Sequence, residues 1–436
     1  MFSMGRSFLR ANRRAGSNLA LAIALATGAA IGVAGYAEPA YAKKKEKAAK
    51  ADYSKAFVEA YQPLANKVNA EGADVAALSG EVKGLVGLAE TDDDRFAAAQ
   101  LMYSAGAKSK NLEMQREGME MMLASGKVAP EQLGTYNFVA GQLAFNMKDY
   151  ATARQRIMTA MENGYTSNDP QILIAETYFN EDKNAEGLSY LDQAINGRKA
   201  AGAEIPENWL KRGLTVSYRN SLVPQSRQYV AWLVSLYPSK DAWGDAVAIE
   251  RTSVAYDDQS QLDLLRLARR VDGLRSERDY VDYLSAADAR RLPGEVDAVV
   301  KEGIAAGILN TSDVFVSEAK STSAGRIAAD RADLPSLERD ARKPDSSAIT
   351  AAAAGDVFLS YNEDAKAEEM YKIALTKPGV DTQRVLTRLG ITQVDQGKYA
   401  EAMETLAKVE GSRKPIADLW MLYAKQESGG DTMAAM

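Results

Sequence analysis

The chain of 436 residues carries 53 basic against 59 acidic residues, a net charge of −6, and contains neither cysteine nor histidine. Those two zeros exclude disulfides, thiolate nucleophiles, imidazole bases and Cys or His metal ligands. The acidic balance argues against a nucleic-acid partner, while 46% hydrophobic and 26% charged residues make a globular composition.

In chain order, Arg6, Arg10, Arg13 and Arg14 precede an apolar run from Leu19 to Val33, and no acidic residue comes before Glu38. This is the secretory pattern, and it predicts a signal peptide over residues 1–42. The cleavage site is Ala40-Tyr41-Ala42, with Ala37 as the second choice, and cleavage places the mature protein in the periplasm. Retention of the signal would instead leave residues 19–35 as an inner-membrane anchor, the one route to membrane contact. An acid-free start rich in Arg and Ser also fits an organellar transit peptide. Arg13-Arg14 suggests twin-arginine export, but Gly16 and Ser17 stand where bulky apolar residues belong. Residues 43–51 read as a short basic tether.

From residue 52 to 426 the pattern is helical throughout. About one residue in six is alanine, only 12 are proline, and i, i+3, i+4 spacing recurs, as in Val230, Leu233, Val234 and Tyr237. Asp92, Asp93 and Asp94 lack the glycine and distal glutamate of a calcium loop, so they read as the cap of a helix starting near Arg95. A fixed offset then appears. Phe145-Asn146 returns as Phe179-Asn180 after 34 residues, Gly141 as Ala175 and Ala160 as Ala194, and Trp209 stands 34 before Trp243. Gly355 and Gly390, Ala367 and Ala402, and Tyr371 and Leu406 are each 35 apart. Such a period marks stacked helix pairs.

These residues resemble the tetratricopeptide repeat (TPR) family. The closest stretch carries Leu389-Gly390, Gly397, Tyr399, Ala402 and Leu406. Others carry Gly355, Phe358, Ala367, Tyr371 and Ala374, then Gly141, Tyr150, Ala153, Ile157 and Ala160, and, more weakly, Tyr178, Gly187, Leu191 and Ala194. The resemblance is good over roughly 140 residues. It implies an all-α, right-handed superhelical solenoid of antiparallel helix pairs, bacterial and periplasmic in type. The expected organisation is a solenoid over 52–310, an irregular hinge and helical connector over 311–348, TPR-like repeats over 349–426 and a flexible tail over 427–436. Thr311, Ser312 and Ser321-Thr322-Ser323 are the polar residues that mark the hinge.

No catalytic motif stands out. Ser317-x-x-Lys320 lacks its companion motifs, Gly126-Lys127 lacks the first glycine of a P-loop, and the Gly-Leu-Met-Gln stretch of lytic transglycosylases is missing. No cofactor or metal is expected. In TPR proteins the first helix of each pair lines the groove, so Gln142, Phe145, Asn146, Glu176, Phe179 and Asn180 are the candidate partner-binding residues. The competing reading packs each Phe against the neighbouring helix and lets each Asn end its own. Trp209 and Trp243 read as core fillers. Chaperone-binding relatives use Lys and Asn where Phe138 and Gln142 stand, which argues against a chaperone-tail adaptor. The expected function is a non-catalytic scaffold or adaptor for a protein or peptide segment of the cell envelope. The alternative is a carboxylate-dependent envelope hydrolase, recognisable by two close carboxylates with raised pKa in a deep cleft.

Overall fold

The computed structural model describes residues 51–429, so the predicted signal peptide, nearly all of the basic tether and the tail from residue 430 lie outside the described residues. Among the described residues all regular structure is helical. The chain opens with α1 (Lys55–Asn69), α2 (Ser79–Val86), α3 (Asp92–Lys108) and α4 (Leu112–Ala124). Three antiparallel pairs follow: α5 (Leu133–Asn146) with α6 (Tyr150–Glu162), α7 (Pro170–Asn180) with α8 (Asn184–Ala200), and α9 (Glu207–Arg219) with α10 (Val223–Leu236). Then come α11 (Lys240–Ser253), α12 (Asp258–Arg270), α13 (Glu277–Ala287), α14 (Pro293–Ala305) and the long α15 (Val314–Ala341). The final helices are α16 (Ala348–Ser360) with α17 (Asp364–Leu375), α18 (Thr382–Asp395) with α19 (Tyr399–Leu406), and α20 (Lys414–Glu427).

Side-chain caps set many of the boundaries. Thr91 and Asp94 form a reciprocal capping box at the head of α3, and Ser276 with Asp279 does the same for α13. Asp94 is fully buried and also accepts the Ser54 N–H at 3.1 Å, tying the entry of α1 to α3. The acidic triplet therefore begins the helix, three residues earlier than the expected start near Arg95. Within the pairs, the turn between the two helices places one residue in the left-handed region: Lys148, Asp182, Ser221, Asn362 and Gly397.

Four of the five pairs share one packing rule, and α7–α8 has Ala175 in place of the glycine. A Cβ added to Gly141 or Gly355 would come within 2.6 Å of Ile157 or Tyr371, and at Gly213 and Gly390 it would come closer still to Tyr229 and Leu406. In all four cases the neighbour lies sixteen residues on, in the second helix of the pair. Only a glycine lets those backbones approach so closely. Ala153, Ala367 and Ala402 are fully buried on the facing helices.

The buried side chains gather into one core running from Ala175 to Ala424 and another under α1–α4, around Phe57, Val82, Leu101 and Met114. A smaller cluster at Phe138, Ile157, Ala160 and Ile174 lies between them in sequence. Trp209 and Trp243 are buried in the large core.

Residues 311–348, expected as an irregular hinge and helical connector, are mostly helical. Apart from short turns at each end they form α15, capped by the Asp313 carboxylate on the Val316 N–H at 3.0 Å. Its serines do not break it, because a helical serine can bond back to its own preceding turn; Ser323 Oγ donates to the Lys320 carbonyl at 3.1 Å and Ser336 Oγ to that of Asp333 at 2.7 Å. The loop ahead of the last repeats is confined to residues 342–347.

The last helices do not contact only their sequence neighbours. α18 and α20 pack against α12, and α20 also against α10. At this junction Asp263 of α12, fully buried, accepts from Arg266 Nη1 at 2.9 Å, Arg388 Nε at 3.1 Å and Arg413 Nη1 at 2.6 Å. Arg388 Nη1 also donates to Asp356 at 2.6 Å, and Arg266 donates twice to Glu295, at 2.8 and 2.6 Å. Three guanidiniums thus meet three carboxylates in a neutral, hydrogen-bonded knot. Trp420 Nε1 donates to the Asp263 carbonyl at 3.0 Å, and Trp243 Nε1 to Gln426 at 3.0 Å.

Candidate partner-binding surface

Helices α5 and α7 place the six candidate residues in their C-terminal halves. On α5, Gln142 and Phe145 are half-buried, and Asn146 is exposed as the last helical residue. The Phe145 ring meets Tyr150 edge-on at 5.5 Å. On α7, Phe179 is only 8% exposed, because Gly187 of α8 has no side chain to hold its ring away. Glu176 is half-buried and forms a two-toothed ion pair with Arg212 of α9, whose Nη2 lies 2.8 Å from Oε2. The same guanidinium covers the Phe179 ring at 5.1 Å. Asn180 ends α7 and returns its amide to the Glu176 carbonyl at 2.7 Å.

The structure therefore brings Glu176, Phe179 and Asn180 into one packed cluster, completed by Arg212, which the sequence reading did not single out. Phe179 is buried, and both asparagines are the last residues of their helices. Gln142 and Phe145 keep part of their surface open to a partner.

The hydrolase alternative asks for paired carboxylates. Burial lifts the Asp395 carboxyl to about 6, with Arg270 opposing and Asp364 adding to the effect. Burial also raises Asp364, again against Arg270. Asp192 and Asp245 are raised by burial too, but each is held by a partner, Tyr229 Oη at 2.6 Å and Arg275 Nη2 at 2.8 Å. In the knot the direction is opposite: burial would raise Asp263, yet Arg388, Arg413 and Arg266 bring it down to about 2. Two open recesses mark the surface. One, about 390 Å³, is lined by Glu120, Met121, Leu123, Ala124 and Arg156. The other, about 440 Å³, lies against α7 and α8. Neither contains any of the four raised carboxyls, so the requirement of a carboxylate pair in a cleft is not met at either. Among the described residues no group of three or more carboxylates is placed to hold a metal ion, and no helix is long and apolar enough to cross a membrane.

No family model matches the chain and no curated protein does. Similar solved structures are a Naa15/Naa10 complex bound to HypK-THB, the TPR2AB-domain:pHSP90 complex of yeast Sti1 and the APC/C hetero-tetramer Cut9-Hcn1. The first is 14% identical with a TM-score of 0.32, over 84% of this chain and 67% of its own. The second is 12% identical with a TM-score of 0.24, over 70% of this chain and 99% of its own. The third is 14% identical with a TM-score of 0.24, over 78% of this chain and 69% of its own.

Proposed function

We propose that this chain is a non-catalytic, TPR-like scaffold of the bacterial cell envelope, exported by residues 1–42 and binding a protein or peptide segment through exposed helix faces. The observation that carries the reading is the packing rule of the pairs, with the glycine of one helix against the residue sixteen positions on. Pairs stacked in this way hold helix faces in fixed register, and binding then requires little reordering of the scaffold. On α5 the half-open Gln142 and Phe145 offer an amide and a ring edge to an incoming chain.

The test is a photocrosslinking residue at Gln142 in cells, with a second at Ala151 on the exposed face of α6 as control. A dominant protein adduct from Gln142 alone is the expected result and identifies the partner. The same diffuse adducts from both positions would remove the scaffold reading. Intact mass of the recovered protein tests export separately, since loss of residues 1–42 leaves 394 residues.

A further inference from the structure

The recess against α7 and α8 is unlike the ion-paired surface around it. Its lining residues are Tyr178, Ala185, Glu186, Ser189, Tyr190 and Gln193. The two tyrosine rings stand 6.5 Å apart at 35°, and both pack from behind on the cluster of Phe138, Ile157 and Ile174. Helix α8 repeats at three and four residues, so Glu186, Ser189 and Gln193 share one exposed face. Among the described residues, neither phenol hydroxyl nor the polar groups of Glu186, Ser189 and Gln193 have a hydrogen-bond or ion-pair partner.

The flanking charges, by contrast, are taken. Arg154 holds Glu181 and donates to Thr177 Oγ1 at 3.1 Å, Lys183 reaches Glu181 at 3.4 Å, and Glu176 holds Arg212. Arg154 also sets its guanidinium 4.4 Å from the Tyr178 ring centre, so this ring already accepts a cation from its own chain. Burial pushes the Tyr190 phenol up to about 12, which keeps it a neutral hydrogen-bond donor. The wider field has the same sign as Glu186. Residues 1–50 hold nine basic and two acidic residues and Asp431 lies past residue 429, which leaves 44 basic against 56 acidic residues over 51–429. Such a surface attracts a basic partner and repels an acidic one.

We propose that this recess receives a lysine or arginine side chain from a basic segment of a partner protein. Tyr178 and Tyr190 together form the wall against which the aliphatic stem lies, Glu186 takes the charge, and Ser189 and Gln193 are free to bond the partner's backbone. The inference rests on the scaffold reading but uses another surface. Tyr178 is two residues from Glu176, about 200° around α7, so the recess opens away from the Glu176–Arg212 pair.

The test is fluorescence anisotropy of the exported protein with a labelled, end-capped peptide of alternating alanine and arginine. A control peptide carries the neutral citrulline at every arginine. The expected result is binding of the arginine peptide only, weakened about tenfold by Glu186→Lys and about threefold by Glu186→Gln, on the scale of exposed ion pairs and cation–π contacts. Glu401→Lys, the same charge change on α19, is expected to leave the affinity within about twofold. Equal loss from Glu186→Lys and Glu401→Lys would reduce the binding to general attraction and overturn the proposal. Equal binding of the citrulline peptide, or no binding of either peptide, would overturn it as well. A crosslinked partner at Gln142 together with no peptide binding would discard the recess and leave the scaffold standing.

Discussion

Asp395 shows how one side chain sets a pH dependence. It lies at the end of α18 beside Arg270, and burial lifts its carboxyl from 3.8 to about 6. A carboxyl whose folded pKa exceeds its unfolded value favours the fold when protonated. Its contribution is complete below pH 3.8 and is lost as the pH rises through about 6. At pH 8 the charge therefore costs up to about 3 kcal/mol, one pKa unit being about 1.36 kcal/mol. Asp395→Asn is expected to raise the urea midpoint at pH 8 and change it little at pH 4. Comparing variant with parent at each pH cancels opposing groups such as Asp263, whose depressed pKa favours the fold above pH 3.8 and loses that effect as the pH falls toward 2. A variant weaker than the parent at pH 8 would mean that the Arg270 ion pair outweighs the desolvation.

At the scale of the helix pair, the crossing leaves no room for added volume. Ala153 of α6 is fully buried, its carbonyl 3.2 Å from where a Gly141 side chain would begin. Ala153→Leu is expected to cost about 1–3 kcal/mol by overpacking. Ala151→Leu, two residues away on the exposed side, is expected to leave the thermal midpoint almost unchanged; equal effects would break the assigned register. This scale was the most legible from sequence, because small residues at a 34- or 35-residue period have one physical cause. Legibility failed where a local signal was ambiguous. Ser321-Thr322-Ser323 reads as a linker, yet inside α15 a serine hydroxyl returns to its own helix and the rod continues. The candidate groove was legible only in part. The Phe-Asn repeat marked the right helices, but nothing local to α7 announces that Arg212, 36 residues on, caps Phe179 and pairs with Glu176.

At the scale of the whole described chain, the decisive contacts join residues far apart in sequence. A solenoid whose units touch only their neighbours loses stability piecemeal, unit by unit. Here Arg388 reaches Asp263 across 125 residues and Arg413 reaches it across 150, with both side chains of each pair buried. The sequence carried half of this signal: Asp263 interrupts the Leu262–Leu267 stripe, and Arg388 stands between Leu386 and Leu389. A charge on an apolar stripe announces a buried partner without naming it, and no periodicity supplies the name. Within the knot each charge depends on the others, since an ion left buried without its partner retains its desolvation cost. Arg388→Met takes the paired guanidinium from Asp356, which keeps only the Tyr371 hydroxyl at 2.8 Å, and strips one of three cations from Asp263, so the expected loss is about 3–5 kcal/mol. Its location discriminates further. Hydrogen exchange is expected to accelerate in α12, α18 and α20 while α5 and α6 keep their protection. Uniform acceleration along the chain would show that the knot belongs to one global unfolding unit. Unchanged exchange in α18 would mean that the apolar core alone, through Leu389, Ile416 and Trp420, holds the last helices in place.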